Sequence, residues 1–136
     1  MMAPGDVPAT AIPTAPGGGQ PTTPTLTMGQ WIMDPSHEYV LTMIPQGLIL
    51  YQVMGNGDPP SGHFNATIKW GPHGGENNFV FCAQSDGNAV VYDNQFPTQL
   101  NHQWAGNSGG SNAQYLFVCE NGSFAVVQYS PTWNSV

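Results

Sequence analysis

Positive charge is almost missing from this chain. Lys69 is the single Lys or Arg among 136 residues, eight carboxylates give a formal net charge of -7, and only 7% of positions are charged. One cation cannot neutralise a row of phosphates, which argues against nucleic acid and against attachment to anionic lipid. Long apolar runs are missing too: none approaches the roughly 18 residues of a membrane-spanning helix, so membrane insertion is not expected. Cysteine is scarce. Cys82 and Cys119 lie 37 positions apart, fit no CxxC or zinc spacing, and read as small buried hydrophobes. The four histidines, His37, His63, His73 and His102, show no ligand spacing such as HxH or HExxH, so they read as scattered surface residues and neither metal nor cofactor is expected. The opening "MMAPGDVPATAIPTAPGGG" has neither a basic block nor an apolar block and does not read as a secretory signal.

With so few charges, solubility falls to Asn, Gln, Ser, Thr and turn-rich backbone, a surface suited to neutral polyols. At this length one domain buries roughly two-thirds of its unfolded surface and folds without staples. Residues 1–27 stand apart. They hold six of the thirteen prolines and the run Gly17-Gly18-Gly19, with almost no large apolar side chain. Such a segment cannot offset its own ordering entropy, and it predicts an extended arm, ordered only if the domain, a neighbouring subunit or a larger assembly holds it.

From Met28 onward, short β-type runs alternate with turn chemistry. "EYVLTM" (38–43), "GLILYQV" (47–53), "ATIKW" (66–70), "NFVFCAQ" (78–84), "NAVVYD" (88–93), "HQWA" (102–105), "QYLFVCE" (114–120) and "SFAVVQY" (123–129) are separated by "NGDPPSG", "GPHGG", "SDG", "GNSGG" and "NG", and no stretch keeps a 3.6-residue apolar period. The expected class is all-β. The unit also recurs: "LTMIPQGLILY" (41–51), "CAQSDGNAVVY" (82–92) and "VCENGSFAVVQ" (118–128) align with Leu48-Ile49-Leu50, Ala89-Val90-Val91 and Ala125-Val126-Val127 in register. A tryptophan follows each unit, Trp70, Trp104 and Trp133. Three such units predict pseudo-threefold symmetry with the tryptophans in the core.

In the middle unit Gln84, Asp86, Asn88, Val90 and Tyr92 occupy alternate positions. Period-two alternation sends alternate side chains to one face, so a strand bearing them would present a ladder of donors and acceptors. This QxDxNxVxY pattern resembles the signature of the bulb-type mannose-binding lectins, the B-lectin family. The likeness extends to Leu26, Gly29, Ile32, Tyr39, Leu41 and Met43, similar to the family's opening LxxGxxL and YxLxM with Ile32 for the second Leu, and it spans residues 26–136.

The resemblance implies a β-prism II, three four-stranded antiparallel sheets over residues 28–136 behind the 1–27 arm. It also implies a mannose-type site in which Gln84, Asp86, Asn88 and Tyr92 hydrogen-bond the sugar and Val90 packs on its carbons. The aligned positions of the other units, Met43, Pro45, Gly47, Ile49, Tyr51 and Glu120, Gly122, Phe124, Val126, Gln128, lack the Asp and Asn, so one site per chain is expected. Catalysis is not expected. "GNSGG" (106–110) satisfies GxSxG without the strand-turn-helix setting of a nucleophile elbow, and Asp86 with Asp93 makes a poor glycosidase pair. A non-catalytic lectin is therefore the first reading. The alternative is an accessory or decoration protein of a virion or other large assembly, with residues 1–27 as the anchor and contact for a homo-oligomer or larger assembly. Either reading places the protein outside the cell or on a virion surface.

Overall fold

The computed structural model describes residues 12–34, 36–58, 63–110, 112–119 and 121–127, with backbone alone for 54–58 and 63–66. Among the described residues ten strands run in chain order: β1 (Ile12–Pro13), β2 (Trp31–Met33), β3 (Tyr39–Ile44), β4 (Gly47–Asp58), β5 (His63–His73), β6 (Val80–Ala83), β7 (Ala89–Tyr92), β8 (His102–Ala105), β9 (Tyr115–Val118) and β10 (Phe124–Val127). Among the described residues there is no helix. The strands form three antiparallel sheets ordered β2-β3-β4-β5, β6-β7-β8 and β1-β9-β10, one for each sequence unit. Four strands were expected in each sheet. Among the described residues only the first has them, and its β4 runs into the first three residues of the "NGDPPSG" stretch that reads as a turn.

One core lies between the sheets. Leu41, Met43, Leu48 and Leu50 from the first sheet meet Phe81, Ala83, Ala89 and Val91 from the second and Leu116 and Val118 from the third. Alternation along each strand explains the set: these residues face inward, while Cys82, Val90 and Tyr92 face outward and form a separate cluster. The outer face of the first sheet likewise carries its own apolar cluster of Trp31, Met33, Val40 and Val53. With apolar residues on both faces, β3 and β7 read as almost unbroken hydrophobic runs. Trp70 and Trp104 sit half-buried against the main core with rings edge-to-face at 5.2 Å; Trp133 lies outside the described residues. His73, read from the sequence as a loose surface residue, stacks on Trp104 at 5.1 Å and 25°. The Trp70 ring lies against it from another side at 4.5 Å, so packing rather than solvation fixes this ring.

Among the described residues the second sheet has no regular fourth strand, yet the edge of β6 is not bare. Leu26 and Phe81 exchange backbone hydrogen bonds of 2.8 and 3.0 Å, and the Thr25 Oγ1 accepts from the Ala83 N–H at 2.9 Å. Further back in the chain, the Ala15 N–H donates to the Ala83 carbonyl (2.7 Å) and the Ser85 N–H to the Ala15 carbonyl (3.2 Å). An unpaired edge would leave a row of donors and acceptors open to other chains, and the proline-rich segment closes it. Residues 12–27 are thus held by their own domain, one of the three agents the composition required. Leu26 is fully buried in the central core and anchors the segment.

Replacing Leu26 with Ala removes a buried side chain and leaves a cavity, so urea unfolding should show a loss of about 3 kcal/mol. A loss below about 1 kcal/mol would mean that the segment adds nothing to the core.

Candidate functional site

The sequence motif folds as a turn flanked by two strands. Gln84 to Asn88 join β6 to β7: the Gln84 N–H donates to the Asn88 carbonyl (2.8 Å) and the Gly87 N–H to the Gln84 carbonyl (3.0 Å). One Asp86 oxygen, Oδ1, accepts from the Asn88 N–H at 2.9 Å, the side-chain-to-backbone bond that makes Asp a turn former. Gly87 takes φ of 92°, where a β-carbon would be strained. The expectation of one flat strand ladder is therefore corrected. Only Val90 and Tyr92 lie on a strand, and Gln84, Asp86 and Asn88 are gathered by the turn, because Asp-Gly chemistry outcompetes extension at that point.

The five residues nevertheless converge. Gln84 is buried between the two ends of the motif: in the amide orientation that satisfies both sides, its Oε1 accepts from the Tyr92 hydroxyl, and its Nε2 donates to Asp86 Oδ1 at 3.1 Å and Oδ2 at 3.3 Å. The chain of bonds Tyr92 to Gln84 to Asp86 fixes the carboxylate from behind. Burial holds the Tyr92 hydroxyl above its ordinary pKa, with smaller upward contributions from Cys82 and Asp86 and a downward one from the Gln84 bond. Tyr92 stays a neutral phenol whose one proton is given to Gln84. Val90 fills the space between, packed with Cys82, Tyr92 and Ala15.

The surroundings contain groups that the motif alone does not reveal. The glycine-rich stretch 106–110 wraps the turn: Ser108 N–H donates to Asn88 Oδ1 (3.2 Å), Ser108 Oγ to the Gly87 carbonyl (2.8 Å), and Gly110 N–H to the Asp86 carbonyl (3.0 Å). Its role is to brace the motif, with Ser108 exposed at the rim. On the other side, Gly18 N–H donates to Ser85 Oγ at 2.7 Å. Ser108 could have been suspected from its glycine neighbours; the Gly18 contact has no local sequence signal.

Exposure divides the motif. Gln84, Val90 and Tyr92 are 1%, 3% and 5% exposed, whereas Asp86 and Asn88 are partly open to solvent. Asp93 lies beyond the end of β7, where its Oδ1 accepts from the exposed Gln95 N–H, and it does not join Asp86 in the network. Among the described residues no group of three His, Cys, Asp or Glu gathers in one place.

The other units explain themselves structurally. In the third, Cys119 N–H donates to the Ser123 carbonyl (2.7 Å) and Gly122 N–H to the Cys119 carbonyl (3.2 Å), the same pair of bonds as in the Gln84 turn, and Gly122 has φ of 86°. Phe124 and Val126, not Ala125 and Val127, pack against the core. The sequence alignment of this unit is therefore one residue out. The positions matching Gln84, Asp86, Asn88, Val90 and Tyr92 are Cys119, Asn121, Ser123, Ala125 and Val127, which keep a turn but no carboxylate, no long amide and no phenol. In the first unit Ile44 pairs with Gly47 and leaves a shorter turn without any of the polar motif residues.

A cavity of about 540 Å³ is bordered by Trp70, Trp104, Phe124, Lys69 and Ser123 and reaches the motif's bracing loop at Ser108. Its walls are mostly apolar. The motif turn, by contrast, concentrates hydrogen-bonding side chains around one small apolar residue.

No protein-family model and no characterised protein sequence matches the chain. Its fold is that of a solved lectin structure: the chain is similar to a lectin from Allium sativum at 23% identity, with a TM-score of 0.57 over 90% of this chain and 96% of that one. At this identity the likeness establishes the fold, an all-β prism of three antiparallel sheets.

Cys82 lies on the same outer face as the motif, where burial pushes its thiol up from 9.0 to about 12, against a smaller downward pull from a Thr25 backbone bond. The folded state then holds a proton that the unfolded chain releases. Stability from this group is complete below pH 9 and should fall as pH rises from 9 toward 12, at roughly 1 kcal/mol per pH unit. Urea midpoints measured across that range should drop less steeply for Cys82→Ala than for the parent, and equal slopes would show that the thiol is not the source.

Proposed function

We propose that the chain is a non-catalytic, mannose-type carbohydrate-binding module of the bulb-lectin kind, with Gln84, Asp86, Asn88, Val90 and Tyr92 as its one site. The observation that carries this reading is the bonded series Tyr92, Gln84 and Asp86 around Val90, set in a fold shared with a lectin. A neutral sugar needs what this arrangement offers. The carboxylate of Asp86 accepts strongly from hydroxyls, the Asn88 amide both donates and accepts, and Val90 supplies an apolar contact for ring carbons. Adjacent hydroxyls of a mannose-type sugar, one axial, would bridge Asp86 and Asn88. The motif contains one fixed negative charge and no cation, which suits a neutral ligand better than an anionic one.

One monosaccharide site of this size binds weakly, at about millimolar Kd or about 4 kcal/mol. Useful avidity would come from several copies presented together. The assembly reading, in which the chain decorates a virion or other large particle and its N-terminal arm is the anchor, remains compatible with a displayed lectin. It draws less support, because residues 12–27 are bonded to the chain's own second and third sheets. Residues 1–11 lie outside the described residues.

Titration with methyl α-mannoside, followed by NMR or calorimetry, tests the function. Saturable millimolar binding is expected for the parent, and Asp86→Ala with Asn88→Ala should weaken it by at least about tenfold. Because Asp86 also holds the Asn88 N–H and the buried Gln84 amide, urea unfolding should show a loss of about 1 to 2 kcal/mol in a variant that still folds. Equal binding by parent and double variant would remove the site from these residues.

A further inference from the structure

The outer face of the second sheet is not open to a ligand as it stands. Gln84, Val90 and Tyr92 are almost wholly buried, so a sugar arriving from solvent reaches Asp86 and Asn88 and little else. The chain itself supplies part of the cover. Ala15 packs with Cys82, Val90 and Tyr92. The Thr23 carbonyl accepts from the outward-facing Cys82 Sγ at 3.8 Å, Gly18 N–H donates to Ser85 Oγ, and a β-carbon placed on Gly19 would stand 3.6 Å from Asp86 Oδ2. Residues between Ala15 and Thr25 thus leave the edge of β6, cross the motif's outer face and return.

We propose that residues 14–24 are an intramolecular strap that competes with sugar for this face, so that the complete site is available only when the strap lifts. The proposal rests on the carbohydrate reading above and adds its regulation. Three features make the strap displaceable. It is tied at both ends, by Ile12 and Pro13 to β9 and by Leu26 to Phe81, so it can lift as a loop without unpicking the core. Its own grip is small: Ala15 and Pro21 are its buried apolar residues, and the rest is a handful of hydrogen bonds, two of them through the Thr14 and Ser85 hydroxyls. It contains Gly17, Gly18 and Gly19, with φ of 100° and 57° at the first two, and glycine has the backbone freedom that a hinged loop needs. The strap also resembles its competitor chemically. It meets Ser85 and Cys82 through a backbone N–H and a backbone carbonyl, groups that sugar hydroxyls can replace as donor and acceptor. Apparent affinity is then the intrinsic affinity scaled by the fraction of molecules with the strap open.

Two opposed variants in a Cys119→Ser background test this. Thr14→Val with Ser85→Ala removes the hydroxyl that donates to the Ala113 carbonyl and the one that accepts from Gly18, and so loosens the strap. Gly18→Cys with Ser85→Cys is designed to lock it through a disulfide. Alkylation of Cys82 reports opening independently of sugar. The loosened protein should bind methyl α-mannoside about tenfold more tightly, as when an open fraction near a tenth rises toward one, and its Cys82 should react faster. The locked protein should not bind until a reductant restores affinity, which also shows that it is folded. If all forms bind equally well, the strap does not compete and the proposal falls while the lectin reading stands. If Cys82 reacts faster in the loosened protein yet no form binds sugar, the face opens onto no sugar site, and the carbohydrate reading fails and takes the competition with it.

Discussion

The exchange of hydrogen bonds between Leu26 and Phe81 is the constraint from which much of this structure follows. It seats Leu26 in the common core and closes the exposed edge of β6. It also fixes where a segment with few apolar side chains must enter and leave the domain. Without such an anchor, residues 12–27, with four prolines and three glycines, would have little to bury. With it, Thr25 can complete the hydrogen bonding of Ala83, and the preceding residues lie along the motif hairpin. The β6–β7 turn depends in turn on this neighbourhood, since Ser85 is bonded through its N–H to Ala15 and through its hydroxyl to Gly18.

Polar chemistry is concentrated at one turn by two different means. Local chemistry folds the turn: Asp86 bonds the Asn88 amide and Gly87 accepts a left-handed backbone. Long-range packing then adds the parts that local chemistry cannot supply, Ser108 from the loop after β8 and the buried Gln84 to Tyr92 bond across the hairpin. Buried amides and phenols are costly unless satisfied, and here they satisfy one another. This leaves Asp86 held in place and partly exposed. The same turn in the third unit, built from Cys119, Asn121 and Ser123, shows what remains when the fold needs the bend but the long polar side chains are absent.

Much of this was readable from the residues. Alternating apolar runs and turn residues indicate an all-β chain in three units, and the spacing of Gln84, Asp86, Asn88, Val90 and Tyr92 marks the hairpin. What was not readable has identifiable physical causes. Phe124-Ala125-Val126-Val127 is apolar at every position, so period two gives no phase, and the third unit's register is visible only from which side chains meet Leu116 and Val118. Asp86 and Gly87 belong both to a two-residue alternation and to a turn, and the turn prevails because its bonds are local. Residues 12–27 have the composition of a loose arm; the single Leu26 that anchors them is invisible to a compositional average. The cover over Val90 arises from contacts nearly seventy positions apart, such as Gly18 with Ser85, for which a linear pattern has no sign.

The central claim is that the second unit's turn is where this protein meets a neutral sugar. The most direct test is to follow assigned amide and side-chain NMR signals of the full chain while methyl α-mannoside is added. The account predicts progressive shifts centred on the Ser85, Gly87 and Asn88 amides, the Gln84 side-chain amide and, on the strap, Gly18, with the third-unit turn at Asn121 to Ser123 unmoved. Shifts confined to the Trp70 and Trp104 indoles would place the ligand in the apolar cavity instead, and no shifts at concentrations well above about 10 mM, beyond the range of even a weak monosaccharide site, would contradict the account.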